Sequence, residues 1–213
     1  MKTLVIGAHG QIGKILCTKL AAAGRPVRAM VRDEAQRGEL SALGAEAVVG
    51  DLEGVFEHAL QECDTLVFTA GSGGHTGGDK TLLVDLWGAL RTFRACKAHG
   101  LQRYLMVSAL RAHDPDSGRA ALRHYLVAKK IADEYLERTA LDYTIVRPGR
   151  LTNEPGTGRI QLGAPGQVAA GEIPRADVAE VVAACLDAPN THRTCFDLVS
   201  GPTAIAEAVG TLK

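Results

Sequence analysis

"VIGAHGQIGKILCTKL", residues 5–20, decides the fold. Its first residues close a short apolar run that reads as a strand, and from Gln11 onward the pattern is that of an amphipathic helix. Gly7, Gly10 and Gly13 stand at the junction as G-x-x-G-x-x-G. Gly7 permits a tight turn, Gly10 lets backbone approach a pyrophosphate, and Gly13 lets the helix pack close to the sheet. The phosphates are then expected at the helix N-terminus, against the backbone of His9, Gln11 and Ile12. His9 matters there for its N–H more than for its ring.

The same alternation continues along the chain. "KTLVIG" (2–7), "PVRAMV" (26–31), "AEAVVG" (45–50), "DTLVFTA" (64–70), "QRYLMVSA" (102–109) and "DYTIVRPG" (142–149) read as strands. Amphipathic segments at about 11–23, 33–42, 79–99 and 118–139 lie between them, with a weaker one at 53–61. Strands so continuously apolar are buried on both faces, and strand–helix alternation implies a parallel sheet. The expectation is α/β: a Rossmann-like, doubly wound parallel sheet in a three-layer sandwich, one domain over 1–213. After Pro148 the pattern becomes irregular; a helix at about 175–187, a strand at 194–199 and a short terminal helix form a C-terminal appendage over about 150–213.

Composition narrows the function classes. Of 213 residues, 46% are hydrophobic, and 24 basic residues balance 24 acidic ones. That neutrality carries no electrostatic footprint for nucleic acid or an anionic membrane. No apolar run approaches a membrane span, and the short run in "MKTLVIGAHG" ends in glycines, unlike a signal peptide. Five scattered cysteines (17, 63, 96, 185 and 195) make no metal spacing and read as reduced, mostly buried thiols of a cytoplasmic protein. A small-molecule substrate is the expected partner, in a monomer or homodimer.

The end of the second strand discriminates between dinucleotides. A carboxylate there accepts from the ribose 2′-hydroxyl of NAD, whereas NADP needs a cation. "MVRDEAQR" puts Arg32 at that place, with Asp33 next as a cap for the following helix and Arg28 and Arg37 adding positive charge. NADP(H) is therefore preferred over NAD(H). In "VGDL" (49–52), Asp51 is placed to accept from the adenine amino group, with Leu52 beside it. Ala70, Gly71 and Ser72 open "AGSGGHTGGD" (70–79), a glycine-rich loop that completes the cofactor contacts and carries His75 as a candidate to face a substrate.

"HYLVAKK" (124–130) holds Tyr125 and Lys129 four residues apart on a helical pattern. At about 100° per residue, Lys129 falls about 40° from Tyr125, in an arc with Ala121, Leu122, Leu126, Ala132 and Leu136. A lysine central to an apolar face needs a partner. Asp133 offers an ordinary i,i+4 pairing. The wheel for 79–99 sets Asp85 equally centrally, among Leu82, Ala89, Phe93 and Cys96, so Asp85 and Lys129 are expected to meet beneath the cofactor. Trp87 falls on another face, with a packing or interface role. Such a carboxylate partly cancels the ammonium field that would acidify Tyr125.

"GAHGQIG", "VRD", "GDL", the glycine-rich loop, "VSAL", "YLVAKKIADEYL" and "LDYTIVRPG" stand in the order found in short-chain dehydrogenase/reductases. Over about residues 1–200 the chain resembles the compact, atypical NAD(P)-binding branch, neighbours of the flavin and biliverdin reductase type. The resemblance implies that Ser108 holds a substrate carbonyl or hydroxyl and that Tyr125 exchanges the proton. It gives Lys129 the nicotinamide ribose, Pro148 the wall of the nicotinamide pocket, and Asp85 the position where the main branch carries Asn. The expected activity is hydride transfer between NADP(H) and a small carbonyl, quinone or flavin-like substrate. The alternatives are a non-catalytic NADP(H) sensor and, with less support from the short C-terminal region, a nucleotide-sugar epimerase or dehydratase.

Overall fold

A computed structural model describes residues 1–74 and 76–212; the candidate His75 lies outside them. Seven parallel strands form the body of the sheet: β1 (Thr3–Ile6), β2 (Val27–Val31), β3 (Glu46–Val49), β4 (Thr65–Phe68), β5 (Arg103–Val107), β6 (Asp142–Pro148) and β10 (Thr194–Ser200). Between β6 and β10 the chain adds β7 (Arg150–Thr152), β8 (Arg159–Gly163) and β9 (Glu172–Pro174), and it ends with β11 (Thr203–Ala204). The spatial order is β11-β8-β10-β6-β5-β4-β1-β2-β3, with β8 antiparallel to both β10 and β11. β7 and β9 pair separately. The segment after Pro148 therefore extends the main sheet as well as adding to its edge.

The helices are α1 (Gln11–Ala22), α2 (Arg37–Ala42), α3 (Gly78–Lys80), α4 (Ala89–His99), α5 (Arg123–Glu137), α6 (Arg175–Leu186) and α7 (Ile205–Gly210). Strand alternation feeds two cores. Val5, Val67, Leu105 and Val146 face α1 and α6, whereas Ile6, Phe68, Met106 and Ile145 face α4 and α5. Both faces are buried, as the continuous apolar strands require. The doubtful segment at 53–61 is a 3₁₀ turn, Glu57–Leu60. Residues 120–122, which the helical pattern includes, also form a 3₁₀ turn, and Leu122 is 49% exposed there.

Between α3 and α4 lies an eight-residue π-helical stretch, Thr81–Gly88. Its wider turn defeats a wheel drawn at α-helical spacing: Leu82, expected inside with Asp85, is 57% exposed. Asp85 itself is fully buried. The five cysteines are free thiols, four of them buried. Among the described residues no helix is long and apolar enough to cross a membrane.

Candidate cofactor and active site

The sheet order reverses at β1, which lies between β4 and β2. At such a switch point the loops leaving the carboxyl ends of the strands part and leave a crevice. Here it is a cleft of about 470 Å³ lined by Gly7, His9, Gly10, Arg32, Asp51, Leu52, Ala70, Gly71 and Ser72. Those are nine of the expected cofactor residues. Gln36, Thr69, Thr76 and Lys80 line it too, and sequence reasoning missed them because their approach depends on how the loops cross. Gln11, Ile12, Gly13, Lys129 and Pro148 do not line it.

The three glycines do different work. Gly7 has φ +83°, and a Cβ there would stand 2.5 Å from the Ala70 nitrogen. A Cβ on Gly13 would lie 2.3 Å from the Gly7 oxygen, so its absence is what lets α1 settle on the loop. Gly10 has φ −68° and would meet only the Gly7 oxygen, at 3.1 Å. The fold makes little demand on Gly10; the missing side chain leaves room in the cleft beside the unpaired first-turn amides of α1. This cradle fits a dinucleotide pyrophosphate.

At the expected adenosine end, Asp33 caps the turn after β2: its Oδ1 accepts from Ala35 N at 2.9 Å. The neighbouring Arg32 is exposed and has no carboxylate within salt-bridge distance among the described residues. Arg28 and Arg37 do not add to this positive charge. Arg28 is buried and paired with Glu46 at 2.6 Å; it donates to the carbonyls of Ala59 and Gln61, at the amino end of β2, the opposite end of the strand from Arg32. Arg37 pairs with Glu34. The His9 ring meets Glu39 Oε2 at 2.9 Å, leaving its backbone to the loop. Asp51 Oδ1 accepts from Glu53 N at 2.9 Å, an Asx turn that orients the carboxylate.

Deeper in, Lys129 is 2% exposed, and its Nζ lies 3.4 Å from Asp85 Oδ1 and donates to the Val107 oxygen at 3.2 Å. Asp85 Oδ2 accepts from Ser72 N at 2.9 Å. The pair thus ties α5 to the π-helical stretch and to the glycine-rich loop after β4. Burial pushes the Lys129 ammonium down, but Tyr125, Asp85 and Asp133 outweigh it, so it sits above its ordinary value and stays charged. Its Nζ is 5.7 Å from the Tyr125 ring centroid. Burial raises the Tyr125 phenol; Lys129 pulls it down, and Asp85 and Asp133 push it up.

Asp133 belongs to another group. Its Oδ2 accepts from Ser108 Oγ at 2.8 Å and from Arg147 Nε at 2.8 Å, with all three residues buried. Burial pushes its carboxyl up to about 6, against the opposing pull of Arg147 and Ser108. The i,i+4 partnership with Lys129 does not form as an ion pair, because Arg147 on β6 reaches Asp133 from the sheet. That contact joins residues far apart in sequence, and nothing in the pattern of α5 shows it. Trp87 is 45% exposed, with the Arg94 guanidinium 5.1 Å from its ring centroid. Pro148 ends β6, and its oxygen accepts from Leu110 N at 2.9 Å.

A parallel sheet with a glycine-cradled crevice at its switch point defines a dinucleotide-binding protein of the Rossmann type. The chain belongs to the NAD(P)H-binding family, which it matches over residues 7–189. It is 50% identical to an uncharacterized sugar epimerase of Bacillus subtilis (strain 168), YhfK, over 98% of this chain and 99% of that one. It is 28% identical to sanguinarine reductase of Eschscholzia californica, over 100% of this chain and 94% of the relative. A solved structure from Bacillus halodurans, assigned as an NAD-dependent epimerase/dehydratase, is 45% identical with a TM-score of 0.97 over 100% of both chains. The fold is thus NAD(P)-binding and oxidoreductase-like, with reductases among its relatives.

Proposed function

We propose that the protein is an NADP(H)-dependent oxidoreductase that transfers hydride to or from a small carbonyl (the alcohol in the reverse direction), quinone or flavin-like substrate. The observation that carries this reading is the buried Lys129–Asp85 pair set against the Tyr125 ring. When bound, the reduced nicotinamide supplies the hydride. Tyr125, its phenol held above the ordinary value, is protonated at neutral pH and in the form that donates to a reduced oxygen. Lys129 keeps a fixed positive charge near that proton and offers a hydrogen to the ribose. Ser108 gives its one hydrogen to Asp133, so it meets a substrate hydroxyl through its lone pairs; of the carbonyl and hydroxyl roles, the second is favoured.

Turnover of NADPH with a panel of quinones, aldehydes and flavins tests the reading. Tyr125→Phe is expected to lower kcat at least about 100-fold while leaving NADPH affinity within about threefold. Tight NADPH binding with no turnover, unchanged by Tyr125→Phe, would replace it with the sensor, and interconversion of UDP-sugars would replace it with the epimerase.

Preference for NADP(H) rests on Arg32 being free while Asp33 is committed to Ala35. Arg32→Ala is expected to weaken NADPH binding about 10- to 100-fold, the loss of one charge-assisted contact to phosphate, and NADH binding less than about threefold. Equal losses in titrations of the two cofactors would refute the preference.

A further inference from the structure

A second recess, of about 380 Å³, opens on the same C-terminal edge of the sheet, beyond Ser108. Leu110, Arg111 and His113 form one wall and Gly166–Ala170 the other. Leu110 is fastened to Pro148 by the bond from its N–H to the proline oxygen, so the recess adjoins the residue that ends β6. The proposed function uses none of these residues. The volume is that of a small-ligand pocket.

The chemistry of the walls is one-sided. Among the described residues no acidic one lines the recess, and its side chains capable of carrying positive charge are Arg111 and His113. Arg111 has no carboxylate within salt-bridge distance among the described residues; its hydrogen bonds are two long ones, 3.4 Å each, to Ser117. Its backbone is held at φ +68°, a conformation an L side chain rarely adopts. His113 packs its ring against Gly166, where a Cβ would stand 2.9 Å from Nε2, and its buried Nδ1 has no hydrogen-bond partner among the described residues.

The neighbouring charges do not cancel this bias. Asp197 lies behind the recess, its Oδ2 accepting from Gly166 N at 2.7 Å, and Arg147 stands beside it in register on β6. Lys130 donates to the His113 oxygen at 3.0 Å and is neutralised by its pairing with Glu134. A free guanidinium, held on a strained loop just after Ser108 in the chain, is suited to grip a planar anion in a fixed orientation.

We propose that this recess is the substrate subsite and that Arg111 recognises a carboxylate on the substrate; the assignment rests on the reductase reading above. The substrate would then be a small carboxylated carbonyl, quinone or hydroxy compound. A matched pair of probes tests it: 4-carboxybenzaldehyde and its uncharged methyl ester, titrated calorimetrically into the protein saturated with NADP⁺. The acid is expected to bind at least about tenfold more tightly than the ester, as one charge-assisted pair would give. Arg111→Gln should abolish that preference with ester affinity changed less than about twofold, and Arg111→Lys should retain part of it. Equal binding of acid and ester, failure of both to bind, or a preference that survives Arg111→Gln would each overturn the subsite. NADPH oxidation by the two aldehydes is read separately. An acid preference in binding with no NADPH oxidation by these aldehydes or by the quinone and flavin panel sinks the reductase reading and leaves an anion-recognising recess that is not a substrate subsite; turnover without acid preference sinks the subsite alone.

Discussion

Lys129→Met is expected to lower the unfolding free energy by about 3–5 kcal/mol, the cost of leaving a buried charge without its partner. Asp85 is fully buried, and its carboxylate has one cation, at 3.4 Å, and one backbone N–H, from Ser72. Removing the ammonium leaves a desolvated carboxylate facing an apolar side chain. It also frees the Val107 oxygen and loosens the loop after β4. The companion variant Asp85→Asn in the Lys129→Met background removes the stranded charge and is expected to recover more than about 1 kcal/mol of the loss. Urea denaturation of the wild type and the variants measures both quantities. A loss below about 1 kcal/mol in the single variant would mean that the pair is solvated and weak.

The second large effect separates two glycines that look alike in sequence. Gly13→Ala forces a methyl group to within 2.3 Å of the Gly7 oxygen, so α1 must move away from the loop it supports. The expected cost is about 3 kcal/mol of stability, together with at least about a 100-fold loss of NADPH affinity. Gly10→Ala meets only one neighbouring atom, at 3.1 Å, from a backbone conformation open to any residue. Its stability is expected to fall by about 1 kcal/mol or less, while its methyl group intrudes on the cleft and weakens NADPH about tenfold. Thermal melts and fluorescence titration of NADPH check the pair. If Gly10→Ala bound NADPH as the wild type does, the cradle would not hold the pyrophosphate.

The parallel core was legible because its strands are apolar runs buried on both faces and bounded by glycines and prolines such as Gly7, Pro26, Gly50 and Gly149. The nine cleft residues were legible for a related reason: a βα junction fixes the geometry of its own turn from local sequence. Lys129 and Asp85 could be matched because charges central to apolar stripes must find each other. The wheel went astray at Leu82, where the π-helical stretch changes the angular step, and no local signal in "TLLVDLWG" announces that. The strands β7, β8, β9 and β11 carry no continuous apolar run: β8 sets buried Ile160 between exposed Arg159 and Gln161, and the other three span only two or three residues.

Local sequence alone determined the fold class, the dinucleotide cradle and the need of Lys129 for a partner, since turn geometry and the cost of burying charge act over a few residues. The tertiary structure decided what depends on distant segments meeting. It commits Asp133 to Ser108 and Arg147 instead of Lys129, and Arg28 to Glu46 at the amino ends of β2 and β3. It also brings Arg111 and His113 against Gly166–Ala170. Each of these pairings is set by strand order and loop crossing, so the hydrogen that Ser108 spends on Asp133 could be seen only once β5, β6 and α5 were in place.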